Sequence, residues 1–130
     1  MKNPILAPQL KQYINEGNLE EIKKLTENAP PPVIADFISA ISINEVKIVL
    51  DQATAFTRAE IFSYLDIDLQ LELAKTLKRN ELAQLITYMA HDDRVDLLKK
   101  IPEEKRELLL PALAQAVAED IRKLSAYEEG

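Results

Sequence analysis

FISAISINEVKIVLDQATAFTRAEIFSYLDIDLQLELAKTLKRNELAQLITYM, residues 37–89, is the stretch whose reading decides the fold. Its apolar residues keep a rhythm longer than one helical turn. Phe37-Ile38-Ile41 is followed twelve residues later by Val49-Leu50-Ala53, then by Ile61-Phe62-Leu65, Leu73-Ala74-Leu77 and Leu85-Ile86-Met89. Beyond the quoted stretch the series continues as Leu97-Leu98-Ile101 and Leu109-Leu110-Leu113. Weaker echoes are Leu10-Tyr13-Ile14, Ile22-Leu25, and Ile121 with Leu124. Three residues ahead of the triplets stand Ile34, Val46 and Leu82 in some units, and Arg58, Gln70, Arg94 and Arg106 in others.

Residues at i, i+1 and i+4 make one apolar stripe on a helix. A twelve-residue unit leaves about eight to ten residues of helix and a connection of about two to four, a normal helix–helix link. Helices this short are unstable alone, so each must bury its stripe on neighbours, as stacked repeats do. Boundary residues agree. Ser42 with Glu45 and Thr57 with Glu60 read as capping boxes. Asp66, Asp68 and Asn80 suit caps or first turns, and Pro102 suits a first helical position. The remaining prolines, Pro4, Pro8, Pro30 to Pro32 and Pro111, are also read as boundaries. The expectation is an all-α domain over residues 1–124, with about ten short helices in a compact superhelix. NAPPPV (28–33) reads as a stiff junction, dividing an N-terminal helix pair (1–29) from the superhelix (33–124). SAYEEG (125–130) carries no apolar stripe and reads as the start of a linker.

Composition narrows the function. The chain of 130 residues is 47% apolar and 29% charged, and most of its abundant residues favour helix. Glycine occurs only at Gly17 and Gly130, which rules out a glycine-rich phosphate loop. Without cysteine there are no disulfides, thiolate metal sites or thiol nucleophiles. The start, MKNPILAPQLKQY, lacks the long apolar core of a secretory signal, and no apolar run approaches the roughly 18 residues of a spanning helix. A net charge of −6 argues against a nucleic-acid or anionic-membrane surface. His91, the only histidine, stands beside two aspartates at a helix start and makes a poor triad member. The chain is expected not to be an enzyme.

HDDRVD (91–96) concentrates acids. Asp92 and Asp93 suit a helix N-terminus, where negative charge offsets exposed N–H groups. Asp96, four residues after Asp92, projects from the same face, and two like charges there call for a partner. Lys99 or Lys100 could serve Asp96. Alternatively, carboxylate oxygens are suitable ligands for Mg²⁺ or Ca²⁺, and Mg²⁺ often takes only one or two carboxylates while keeping its waters. Two acids on one helix face make an open half-site that a second surface must complete.

Several stretches resemble the N-terminal cytosolic domain of MgtE-type magnesium transporters. They are VIADFISAIS, RAEIFSYLD, NELAQLITYMAHDDRVDLLKKIPEEKRELL and DIRKLSAYEEG, spanning about Val33 to Gly130. The family's acidic DD-x-x-D-L-L run is similar to Asp92-Asp93-Arg94-Val95-Asp96-Leu97-Leu98, and its P-E-E helix start to Pro102-Glu103-Glu104. Its Y-x-E-x-(T/S)-A-G junction into paired CBS domains is matched in part by Tyr127-Glu128-Glu129-Gly130.

The resemblance implies a right-handed superhelix and a homodimeric transporter. It implies Mg²⁺ held between acids of this domain and of the CBS domains, whose docking favours the closed pore. The ligand acids implied here are Asp92, Asp96 and Glu60, with the adjacent Asp93. The domain would then lie at the cytoplasmic face of the inner membrane, excised from CBS and transmembrane parts. A competing expectation is a helical-repeat interaction module of the FliG-like motor-switch or scaffold type, binding a protein partner without a metal.

Overall fold

The twelve-residue rhythm is a rhythm of helix starts. A computed structural model describes residues 6–105, 107, 110–116 and 118. In it α1 spans Leu6–Glu16, α2 Leu19–Asn28, α3 Pro31–Ile38 and α4 Ile43–Gln52. Then come α5 Ala55–Ser63, α6 Ile67–Thr76, α7 Arg79–Tyr88, α8 His91–Lys100 and a 3-10 turn at Glu103–Lys105. From α2 onward every element begins twelve residues after the one before it. Residues 110–116 are again helical, and the described residues contain no strand. The protein is all-α, as the sequence predicts. Arg106, Leu109, Ile121, Leu124 and the junction 125–130 lie outside the described residues.

Each triplet from Phe37-Ile38-Ile41 to Leu97-Leu98-Ile101 splits between a helix and the connection after it. Its first two members lie on the helix. The third is displaced from the expected stripe, because Ala53, Leu77, Met89 and Ile101 are extended C-caps of α4, α6, α7 and α8. An extended cap carries the chain out of the helix within one residue and leaves the apolar side chain between that helix and the next. Ala53, Met89 and Ile101 are buried there. With φ between −82° and −69°, such caps need no glycine, which is how so many turns are made with so few glycines. The exception is Gly17, at φ +68° after α1. Its N–H donates to the Ile14 carbonyl (3.1 Å) and the Asn18 N–H to that of Tyr13 (2.8 Å), the paired bonds of a Schellman motif.

Caps account for other starts. Ser42 and Glu45 form the expected capping box: the Glu45 N–H donates to Ser42 Oγ (3.3 Å), and the Ser42 N–H to Glu45 Oε1 (3.1 Å). The box expected at Thr57 and Glu60 does not form. The register places the start of α5 three residues earlier, so Thr54 is the N-cap and its Oγ1 accepts from the Thr57 N–H at 3.2 Å. Glu60 therefore stands in the body of α5. Pro30 is the N-cap of α3 and Pro31 its first residue, so NAPPPV starts a helix. Pro111 lies within the helical residues 110–116, and Pro102 precedes the 3-10 turn.

Helices pack on the next but one. α3 lies against α5 and α5 against α7, while α2 lies against α4 and α4 against α6. This alternation is what stacked repeats produce, and it is compatible with a superhelix. One core runs from Leu10 and Ile22 through Ile38, Phe62 and Ile86 to Ile101, Ala112 and Ala116. The first two helices join it through α4, where Lys11 also pairs with Glu45 at 3.4 Å.

The polar interruptions of the rhythm have a common task. Arg58 donates from Nε to the Leu50 carbonyl (2.8 Å) and from Nη2 to that of Ala53 (3.0 Å), at the end of α4. The buried Gln70 donates from Nε2 to the Phe62 carbonyl at the end of α5 (2.8 Å). Arg94 donates from Nη2 to the Thr87 carbonyl at the end of α7 (2.6 Å). Helix ends leave carbonyls without intrahelical donors. In these units a long polar side chain reaches back to them, where Ile34, Val46 and Leu82 fill the equivalent position with apolar bulk.

Candidate functional site

The acidic stretch forms the start of α8, the helix whose charges best match its dipole. Asp92 and Asp93 occupy its first turn and Lys99 and Lys100 its last. His91 is exposed at its first position. Asp92 and Asp96 are exposed, and Asp93 is half-buried. At roughly 100° per residue the three carboxylates occupy an arc of roughly 100° on the helix surface. The ion pair open to Asp96 from Lys99 or Lys100 does not form. Among the described residues no basic side chain lies within ion-pair distance of Asp92, Asp93, Asp96 or Glu60.

The fold brings α5 beside the start of α8. Between them lies a cleft of ≈ 330 Å³ whose walls include Phe56, Glu60, Ser63, Tyr88 and Asp93. Glu60 and Asp93 thus share one cavity despite a separation of 33 residues in sequence. Asp92 and Asp96 stay outside it on the open face of α8. The four sequence-derived acids accordingly divide into an exposed pair on one helix and a partly enclosed pair across two. Among the described residues no group of three or more acidic or histidine side chains could hold a metal ion by itself. An ion here would complete its shell with waters or with ligands from another surface.

The aromatic walls escape a reading based on the repeat. Phe56 is 59% exposed and Tyr88 40% exposed. Both stand out of register with the triplets, which was the signal available in the sequence. Ser63 completes the wall. Its hydroxyl donates to the Ala59 carbonyl at 2.9 Å, which leaves the oxygen as an acceptor toward the cleft.

The family model of the MgtE intracellular N domain matches residues 29–130. The match begins where Pro30 to Pro32 open α3 and covers the whole series of regular twelve-residue units that follows. No curated protein matches the chain. No described helix is long and apolar enough to cross a membrane.

Proposed function

The chain belongs to the family of the MgtE intracellular N domain, a regulatory part of a transporter rather than a known catalytic domain, and on that premise we propose that it senses Mg²⁺ and favours the closed pore. Asp92 and Asp96 form one half of an ion bridge, Glu60 and Asp93 a second, and the CBS domains of the same transporter supply the facing ligands. The transporter is a homodimer with this domain at the cytoplasmic face of the inner membrane.

The observation that carries the proposal is the set of four carboxylates, without basic partners among the described residues, on the adjoining surfaces of α5 and α8. Glu60 lies in the body of α5, caps no helix start, and has no basic partner among the described residues. Oxygen-only donors suit Mg²⁺, which binds through one or two carboxylates and retains waters. Such an open site is weak, as a sensor of an abundant ion requires. Without the ion, acids on two facing surfaces repel and the domains stay apart. Bound Mg²⁺ supplies the positive charge that lets them approach.

The test is the full-length transporter carrying Asp92→Asn together with Asp96→Asn. Its Mg²⁺-dependent closure is followed by current, and docking by protection from protease. Closure should shift to higher Mg²⁺ while the helical circular dichroism of the domain stays unchanged. Closure at the original Mg²⁺ concentration would remove these residues from the sensor.

A further inference from the structure

We infer that the cleft between the end of α6, the start of α7 and the helical residues 110–116 binds a small phosphate ester, a free anion with a short carbon body. The site is separate from the acids of α5 and α8 and involves neither docking nor Mg²⁺.

The cleft has a volume of ≈ 280 Å³, and its walls include Lys75, Arg79, Leu77, Leu82 and Pro111. A long-range contact fixes its far side. Gln115 Nε2 donates to Asn80 Oδ1 at 3.2 Å and holds the segment 110–116 against the start of α7. Charge is the first selector. The chain carries 22 acids against 16 lysines and arginines, yet the walls of this cleft hold two cations and no acid. Neither Lys75 nor Arg79 forms an ion pair among the described residues. Glu81, two residues from Arg79, is engaged elsewhere: it accepts from the Lys78 N–H at 3.0 Å and pairs with Lys47 at 4.0 Å.

Helix electrostatics account for one cation and not the other. Lys75 lies in the last turn of α6, where positive charge offsets the exposed carbonyls. Arg79 is the first residue of α7, where the dipole opposes a cation. The positive potential at Arg79 is thus not relieved by its own helix, and an anion relieves it.

Charge and shape then select the anion. A phosphate monoester carries about −1.5 to −2 charges at neutral pH, which matches two cations, whereas a carboxylate leaves one unmatched. The planar guanidinium fork can take two phosphate oxygens, and the ammonium adds a compact charge. Leu77, Leu82 and Pro111 offer apolar surface to the carbon body. Size limits that body. A cleft of ≈ 280 Å³ falls just below the roughly 300–1,000 Å³ of pockets for drug-sized ligands, so a few carbons fit better than a cofactor.

The experiment titrates n-propyl phosphate and, separately, inorganic phosphate into the isotopically labelled chain while backbone amide shifts are recorded. Mg²⁺ is left out, and about 0.15 M salt screens loose attraction between exposed charges. Saturable shifts confined to residues 74–82 and 112–116 are expected with propyl phosphate. Inorganic phosphate should bind about threefold more weakly, because it leaves the apolar wall uncovered. Lys75→Gln and Arg79→Gln should each weaken the ester about tenfold, and Arg79→Lys, which keeps the charge without the fork, should fall between. Both side chains are exposed, so the variants should keep the parent amide spectrum outside the cleft. Shifts that do not saturate, or that are as large around Lys99 and Lys100, would overturn the proposal. So would equal affinity for inorganic phosphate, or an ester affinity unchanged in both glutamine variants. None of these outcomes depends on Asp92, Asp96, Glu60 or Asp93, so failure here leaves the sensing proposal standing, and the converse also holds.

Discussion

Replacing Arg58 by methionine should destabilise the domain by about 2–4 kcal/mol, although no apolar core side chain is touched. The guanidinium holds two carbonyls at the end of α4, Leu50 at 2.8 Å and Ala53 at 3.0 Å. A hydrogen bond to a charged group contributes about 1.5–3 kcal/mol when well shielded. Arg58 is only half-buried, so water recovers part of each loss and about 1–1.5 kcal/mol per bond is the fairer figure. A third bond, to Gln84 Oε1 at 3.2 Å, is exposed and adds a few tenths at most. The positive charge near a helix C-terminus contributes about 0.3–1 kcal/mol more. Methionine retains the apolar stem, which confines the change to the polar head. Urea unfolding followed at 222 nm reads the effect. With a slope of about 1.5 kcal/mol/M, a loss of 3 kcal/mol lowers the midpoint by about 2 M. Arg58→Lys should restore the dipole term but not the two-pronged contact, and so recover less than half. A methionine variant within about 0.5 kcal/mol of the parent, a normal surface effect, would refute the assignment of Arg58 as a cap.

Three further outcomes follow from positions that look alike in sequence. Ile86 and Leu98 hold the same place in the repeat, but Ile86 is buried and Leu98 is 39% exposed; by urea unfolding Ile86→Ala should cost about 2–5 kcal/mol and Leu98→Ala less than about 1 kcal/mol, and equal costs would contradict the packing described. Gly17→Ala should lower stability by about 1–2 kcal/mol through its positive φ, since beyond its two chain neighbours no heavy atom lies within 4 Å of the added methyl; a thermal midpoint that does not fall would show that the turn re-forms another way. The Glu45 carboxyl is held below its ordinary pKa, chiefly by the Ser42 backbone N–H, then by the Ser42 hydroxyl, against an opposing effect of burial and with a lesser lowering from Lys11. The unfolded chain therefore takes up this proton first on acidification. The stabilisation is complete above the unfolded pKa and is lost as pH falls through the folded one. Glu45→Gln should flatten the dependence of the urea midpoint on pH between about 5 and 3, and an identical slope in both proteins would count against the capping box as its source.

The sequence by itself determined the all-α class and the period of twelve, because short helices that cannot stand alone must repeat their apolar residues at the spacing of their neighbours. Ser42 and Glu45 were legible for the same reason: a capping box is closed within four residues. What is local can be read from local residues. Thr57 and Glu60 show the limit, since both Thr54 and Thr57 carry a capping oxygen, and only packing fixes which one starts α5. Ala53, Leu77, Met89 and Ile101 were misplaced for a similar reason, because i+4 spacing serves a helical stripe and an extended cap equally well. Arg58, Gln70 and Arg94 looked like interruptions; their reach to carbonyls seven or eight residues earlier depends on the angle at which the chain leaves each helix. The site divides along the same line. Asp92 and Asp96 were visible as a pair because one helix carries both. Glu60 and Asp93 meet because α5 stacks on α7 and the chain then turns sharply into α8, an adjacency set by the packing of alternate helices and written in no single stretch of the chain.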